Sequence, residues 1–206
     1  MGSPSDCRRA FESLYHWPST GRLDEAAEMI ARARELDPLS LVINLSHARS
    51  FLIRGDTDTC IDLTQKLIQL YPEYAPGHTT LGSAYIRQKR YADAVVEMEK
   101  AVAIVRSGQT LSSLGFAKAL AGDKAGAERL IGEMQAMFER RQVLGREIGL
   151  IYVGLARPDE AFEWLETDFN NRSTELPSIV SMPDLDPIRG DPRFADLIRR
   201  IGLPQS

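Results

Sequence analysis

Cysteine is scarce in this chain: 206 residues carry two, Cys7 and Cys60. Neither sits in metal-ligand spacing, so a disulfide framework or a thiolate metal site is not expected, and a reducing compartment fits. Aromatic residues make up 7% and the formal charge is only −4. Basic residues are scattered, with doublets at Arg8-Arg9, Arg140-Arg141 and Arg199-Arg200, so no continuous positive face points to a phosphate backbone. Nucleic acid is not an expected direct partner. No apolar run approaches the roughly 20 residues that cross a bilayer, and the amino terminus lacks a basic region followed by an apolar core. No membrane association is expected, and the cytoplasm is the expected setting.

Reaction motifs are missing as well. There is no glycine-rich phosphate loop, nucleophile elbow or HExxH pattern. His16, His47 and His78 are spaced 31 apart. They fall at different heights on successive helices, whereas ligand nitrogens must converge to about 2.1 Å from one ion. Neither a metal nor another cofactor is expected, and His47 and His78 are expected to pack partly inside the fold. Asp24, Glu25, Asp159 and Glu160 open helices, where negative charge favours the dipole. The expectation is a protein that is not an enzyme.

What is present is a period. Five stretches align, beginning at Gly21, Gly55, Lys89, Gly122 and Ala156, with starts 34, 34, 33 and 34 residues apart. Their sixth column reads Ala26, Cys60, Ala94, Ala127, Ala161, and their tenth reads Ile30, Thr64, Met98, Ile131, Leu165. Seven residues before each stretch stand Leu14, Ala48, Gly82, Gly115 and Gly149; four before stand Trp17, Phe51, Tyr85, Lys118 and Tyr152. Each unit therefore reads as a helix, a short turn and a second helix, with tiny residues where the two backbones approach and an aromatic residue filling the gap beside them. Cys60 reads as a small core residue rather than a reactive thiol.

This pattern resembles the tetratricopeptide repeat family, most closely in LGSAYIRQKRYADAVVEMEKAV from Leu81, with the family's proline past the second helix at Pro38 and Pro72. The departures are Glu139 and Ser173 at that proline column and Lys118 at the aromatic column. The resemblance implies an all-α, right-handed α-solenoid of about five helical hairpins with a carboxy-terminal capping helix. The expected units are 7–40, 41–74, 75–107, 108–141 and 142–173, after an amino-terminal tail or cloning remnant at 1–6 and before a connector and capping segment at 174–206. By resemblance, the first helices line a concave groove. Its expected partner-binding residues are Leu45, Arg49, Thr79, Ser83, Arg87, Ser112 and Phe116, with Leu52 and Ile53 divided between groove and inter-unit packing. Leu45→Glu or Phe116→Glu is accordingly expected to weaken binding and leave helical content intact. The groove lacks the repeated Lys and Asn pairs with which some relatives clamp chaperone carboxylates, so a peptide with apolar anchors, and one acidic group met by Arg49 or Arg87, suits it better.

The carboxy-terminal stretch DLDPIRGDPRFADLIRRIGLP, residues 184–204, carries two Asp-Pro pairs. Asp186 and Asp191 are expected to cap helix starts, and Phe194, Leu197, Ile198 and Ile201 form an apolar stripe that ends at Gly202 and Pro204. The reading is a cap over the exposed face of the last hairpin. The segment also resembles the ending of bacterial tetratricopeptide proteins in which such an array follows a winged-helix, nucleotide cyclase or Ser/Thr kinase domain. The implied function is a non-catalytic scaffold that binds a protein or peptide partner, as the regulatory part of a signalling or transcription-control protein. The competing expectation is a homo-oligomerisation module.

Overall fold

The computed structural model describes residues 23–202, which are all-helical. Nine helices alternate in antiparallel hairpins: α1 (Leu23–Leu36), α2 (Leu41–Ile53), α3 (Thr57–Leu70), α4 (Ala75–Arg87), α5 (Tyr91–Ile104), α6 (Gly108–Leu120), α7 (Lys124–Glu139), α8 (Gly145–Gly154) and α9 (Pro158–Asn170). Two 3-10 segments, Leu176–Ser181 and Pro183–Leu185, then lead into α10 (Asp186–Arg189) and α11 (Pro192–Ile201). The first helix expected before residue 23, with His16 and Trp17, lies outside the described residues. None of the described helices is long and apolar enough to cross a membrane.

The seam inside each hairpin follows from the two small columns. Cys60, Ala94, Ala127 and Ala161 are fully buried, and Ile30, Thr64, Met98, Ile131 and Leu165 at the bulky column are at most 5% exposed. A side chain much larger than that of cysteine at this small column would push the paired helix away. Gly149 shows how close the backbones come, since a Cβ placed there would lie 3.2 Å from the Ala161 carbonyl oxygen. Stacked seams merge into one core running from Ala48 to Ile198, because a lone hairpin cannot bury its apolar face.

Turns inside the hairpins also repeat. In the four aligned stretches after the first, the opening column adopts a left-handed backbone: Gly55 at φ 84°, Lys89 at 59°, Gly122 at 86° and Ala156 at 56°. After Gly55 and Gly122 the next residue is an aspartate that caps the following helix, Asp56 accepting from the Thr59 amide at 3.2 Å and Asp123 from the Gly126 amide at 2.9 Å. In the other two turns the next residue is arginine, and it stacks on the preceding aromatic residue: Arg90 lies 4.2 Å from the Tyr85 ring centre and Arg157 lies 5.1 Å from that of Tyr152. Lys118, at the aromatic column, reaches Glu99 at 2.9 Å and Asp123 at 3.5 Å instead.

The last two units, with Glu139 and Ser173 at the proline column, end in a left-handed turn. Arg141 (φ 59°) and Arg172 (φ 53°) take the left-handed position after α7 and α9, and the amides of Gln142 and Ser173 bond back to Met137 and Asp168 at 3.0 Å each.

Past α9 the chain covers the last hairpin. Leu176, Ile179, Leu185, Ile188, Phe194, Leu197 and Ile198 are buried, and Ile201 packs against the same core. Asp191 caps α11, its carboxylate accepting from the Arg193 amide at 2.9 Å, and Gly202 closes it at φ 84°. Asp186 does not act as the expected cap. It is the first residue of α10, and its carboxylate pairs with Arg189 at 3.0 Å, because the 3-10 turn Pro183–Leu185 runs directly into the helix.

Candidate functional site

The first helices α2, α4, α6 and α8 stand side by side, and their inward faces enclose a cavity of about 960 Å³. Its wall follows helical spacing: Ser46, Arg49 and Ile53 on α2; Thr80, Ser83 and Arg87 on α4; Gln109, Ser112 and Ser113 on α6; Arg146, Glu147 and Leu150 on α8. The remaining wall comes from Arg141 and Gln142 after α7, and from Thr174 to Asp184 of the carboxy-terminal segment.

Five of the expected groove residues meet here: Arg49, Thr79, Ser83, Arg87 and Ser112, with Leu52 and Ile53 beside them. Leu45 and Phe116 are not part of the wall and are 2% and 4% exposed. At Leu45's column the wall has Thr79, Ser112 and Arg146, and at Phe116's column it has Arg49, Ser83 and Leu150. The two large apolar side chains are drawn into packing instead. For Phe116 the neighbour is Gly154, where an added Cβ would lie 2.9 Å from the ring. Replacing either residue by Glu would therefore bury a charge, so retained folding is no longer the expected outcome for these two variants.

Several polar groups of the wall are already engaged. Thr79 donates to the Ala75 carbonyl at 3.1 Å and Thr80 to that of Pro76 at 2.8 Å, while the Arg49 Nε donates to Thr80 Oγ1 at 2.9 Å. Ser112 donates to the Glu147 carbonyl at 2.5 Å, tying α6 to α8. Arg146 crosses to the carboxy-terminal segment, donating to Ser178 Oγ at 2.9 Å and to the Glu175 carboxylate. Its Nε is buried without a partner. On the other side of that segment, Arg189 donates to the Val180 and Met182 carbonyls at 3.0 and 3.1 Å. These two arginines hold a non-repetitive stretch of backbone against the array.

Three carboxyl groups near the cavity are raised above the usual range, each mainly by burial. Glu147 accepts from the Leu144 amide at 2.8 Å, and Asp168 accepts from the Gly145 and Arg146 amides at 2.7 and 2.9 Å, which oppose the shift. Both serve the start of α8. Asp184, on the cavity wall, is pushed up to about 6, with Arg87 acting in the opposite direction and Asp186 reinforcing the rise.

His78 is buried between Glu97 at 2.6 Å and the Pro72 carbonyl at 2.9 Å, and His47 meets Arg34 at 3.2 Å and the edge of Phe51. Burial first, then Arg34, lowers the affinity of His47 for a proton. Among the described residues no group of three His, Cys, Asp or Glu side chains is placed to hold a metal ion.

A stack of helical hairpins with a concave face built by alternate helices is an α-solenoid. Within it, residues 75–107 match the tetratricopeptide repeat model. The fold is similar to that of a thermophilic tetratricopeptide protein of Thermus thermophilus, with TM-score 0.67, 18% identity, and 93% of this chain and 98% of that one covered. It is also similar to a tetratricopeptide repeat protein of Parabacteroides merdae, with TM-score 0.62, 15% identity, and 95% and 79% covered. A chain of the APC/C hetero-tetramer Cut9-Hcn1 shares the fold at TM-score 0.56 and 16% identity, with 88% of this chain and 40% of that one covered.

Proposed function

We propose that this protein is a non-catalytic scaffold that takes a peptide, or a segment of a partner protein, in its concave groove. The observation that carries the reading is the cavity itself, whose wall is contributed by four successive first helices. A cavity of about 960 Å³ is within the range of roughly 300–1,000 Å³ that suits a short segment or small ligand. Shared walls from successive units suit an occupant that runs along the array. The neighbour in the Cut9-Hcn1 hetero-tetramer is a solenoid of this type within an assembly, which agrees with the reading. The carboxy-terminal stretch supports a finer placement, as the regulatory part of a bacterial signalling or transcription-control protein in the cytoplasm, by its resemblance to such endings.

Ser83→Trp would place an indole in the groove from a partly buried wall position. A twelve-residue peptide array probed with the parent chain and this variant is expected to show binders that the variant loses while its circular dichroism is unchanged. Binders that survive Ser83→Trp would place the binding surface elsewhere. Homo-oligomerisation is the second reading, favoured by the exposed apolar side chains of Leu36, Leu39, Leu70 and Tyr71 at the ends of second helices. Light scattering at high concentration separates the two, since a strict monomer rules out self-association.

A further inference from the structure

Most charged groups on the cavity wall are already committed within the fold. Arg146 holds Glu175 and Ser178, Glu147 caps α8, and Arg49 donates to Thr80. Arg87, Arg141 and Asp184 differ: among the described residues no hydrogen bond or ion pair engages their side chains, although all three line the cavity. Arg87 stands on α4 and Arg141 in the turn after α7, both exposed, whereas Asp184 sits in the 3-10 turn Pro183–Leu185. Leu185 is buried and Met182 is tied to Arg189 through its carbonyl, so Asp184 has little freedom to advance on Arg87.

We propose that the groove takes an acidic peptide segment whose carboxylates pair with Arg87 and Arg141, prevailing over the weaker attraction between Asp184 and Arg87. The inference rests on the groove being the binding surface. A ligand carboxylate is free to adopt the two-pronged geometry that a guanidinium favours, which gives it an advantage over a tethered neighbour that stops short of contact. Asp184 also loses its charge readily: burial, opposed by Arg87 and reinforced by Asp186, pushes its carboxyl group up to about 6. Arg146, Glu147 and Glu175 line the same cavity, but the first and last pair with each other and Glu147 accepts from the Leu144 amide.

The pH signature follows. As pH falls from 7.5 to 5.5, Asp184 gains a proton and ceases to compete, while glutamates of a free peptide, with values near 4.3, stay largely ionised. Acidification therefore tightens binding of an acidic peptide.

The test uses fluorescein-labelled dodecapeptides of alternating Glu and Gly, Gln and Gly, or Lys and Gly, followed by anisotropy with the whole chain. The Glu probe is expected to bind about 10-fold more tightly than the Gln probe, with Arg87→Gln and Arg141→Gln each costing about 3- to 10-fold. Asp184→Asn is expected to raise affinity at pH 7.5 and to abolish the gain on acidification. Equal binding of the Gln or Lys probe, or indifference of the Glu probe to both arginine variants, overturns the proposal. If all probes bind equally and Ser83→Trp abolishes them, the groove stands as the binding surface and only the acidic specificity fails. If Ser83→Trp leaves the Glu probe bound, both readings fail.

Discussion

The middle hairpins and the carboxy-terminal cap solve the same problem by different means. From α2 to α7, the apolar face of each hairpin is covered by the next hairpin, and a helix interior pairs its own backbone groups. Past α9 the cover is made from 3-10 turns and two short helices, so its carbonyls need outside donors, and Arg189 supplies them at Val180 and Met182. Arg146 adds a bond to Ser178, while Arg193 and Arg200 reach back to Asp159 and Glu166 and lie over Phe162 and Phe169. Repetition lets a hairpin seam depend chiefly on side-chain volume. Where repetition stops, stability shifts to a few polar anchors.

Four measurements test that contrast. The largest effect is expected from ending the chain at Glu175, which uncovers the last hairpin. The buried cap side chains contribute about 1.5–3 kcal/mol each, so melting of α8 and α9 well below the rest of the array is expected by calorimetry or proteolysis. An unchanged transition would show that the cap is dispensable. Next comes Ala94→Trp in a fully buried seam position. Overpacking costs about 1–3 kcal/mol or more, and an unaltered melting temperature would contradict the close approach of α4 and α5.

Third, Arg189→Ala removes two carbonyl bonds and the contact with Phe194 at 5.2 Å, at a cost of about 1–3 kcal/mol. Hydrogen exchange should quicken across residues 176–190 and stay unchanged in α3 to α6; a uniform change would mean that the cap and the middle hairpins open as one unit. The smallest effect is a gain: Ala156→Gly relieves a left-handed alanine, and a rise of about 0.5–1 kcal/mol in unfolding free energy is expected. An unchanged or lower value would mean that the left-handed alanine carries no strain in this turn.

Asp184 belongs to the cap side of the comparison. Its folded value of about 6 lies above the ordinary carboxylate value of 3.8. The docked segment therefore binds the proton more strongly than the free chain does, and the stability that Asp184 lends it is greatest below pH 3.8 and declines as pH rises through about 6. Asparagine there should remove that slope.

Much of the array was legible because each rule acts over a few residues. The 34-residue spacing, the small column at Cys60, Ala94, Ala127 and Ala161, and the Asp191-Pro192 helix start each depend on neighbours one or two turns away. The groove was only partly legible. Arg49, Thr79, Ser83, Arg87 and Ser112 follow from the column rule, and extending that rule to the fifth unit would have added Arg146 and Leu150. Leu45 and Phe116 did not follow, because a column fixes a direction on the helix and not whether a large apolar side chain there meets solvent or a neighbour such as Gly154.

The period, the hairpin seams and the apolar stripe of α11 are all written into the sequence, since they arise from local spacing and side-chain volume. That residues 174–184 turn back to wall the groove, and that Asp184 faces Arg87, was settled by tertiary packing alone. A 3-10 segment has no period of its own to read, and its course is set by arginines that come from α8 and α10 and meet it only once the array has stacked.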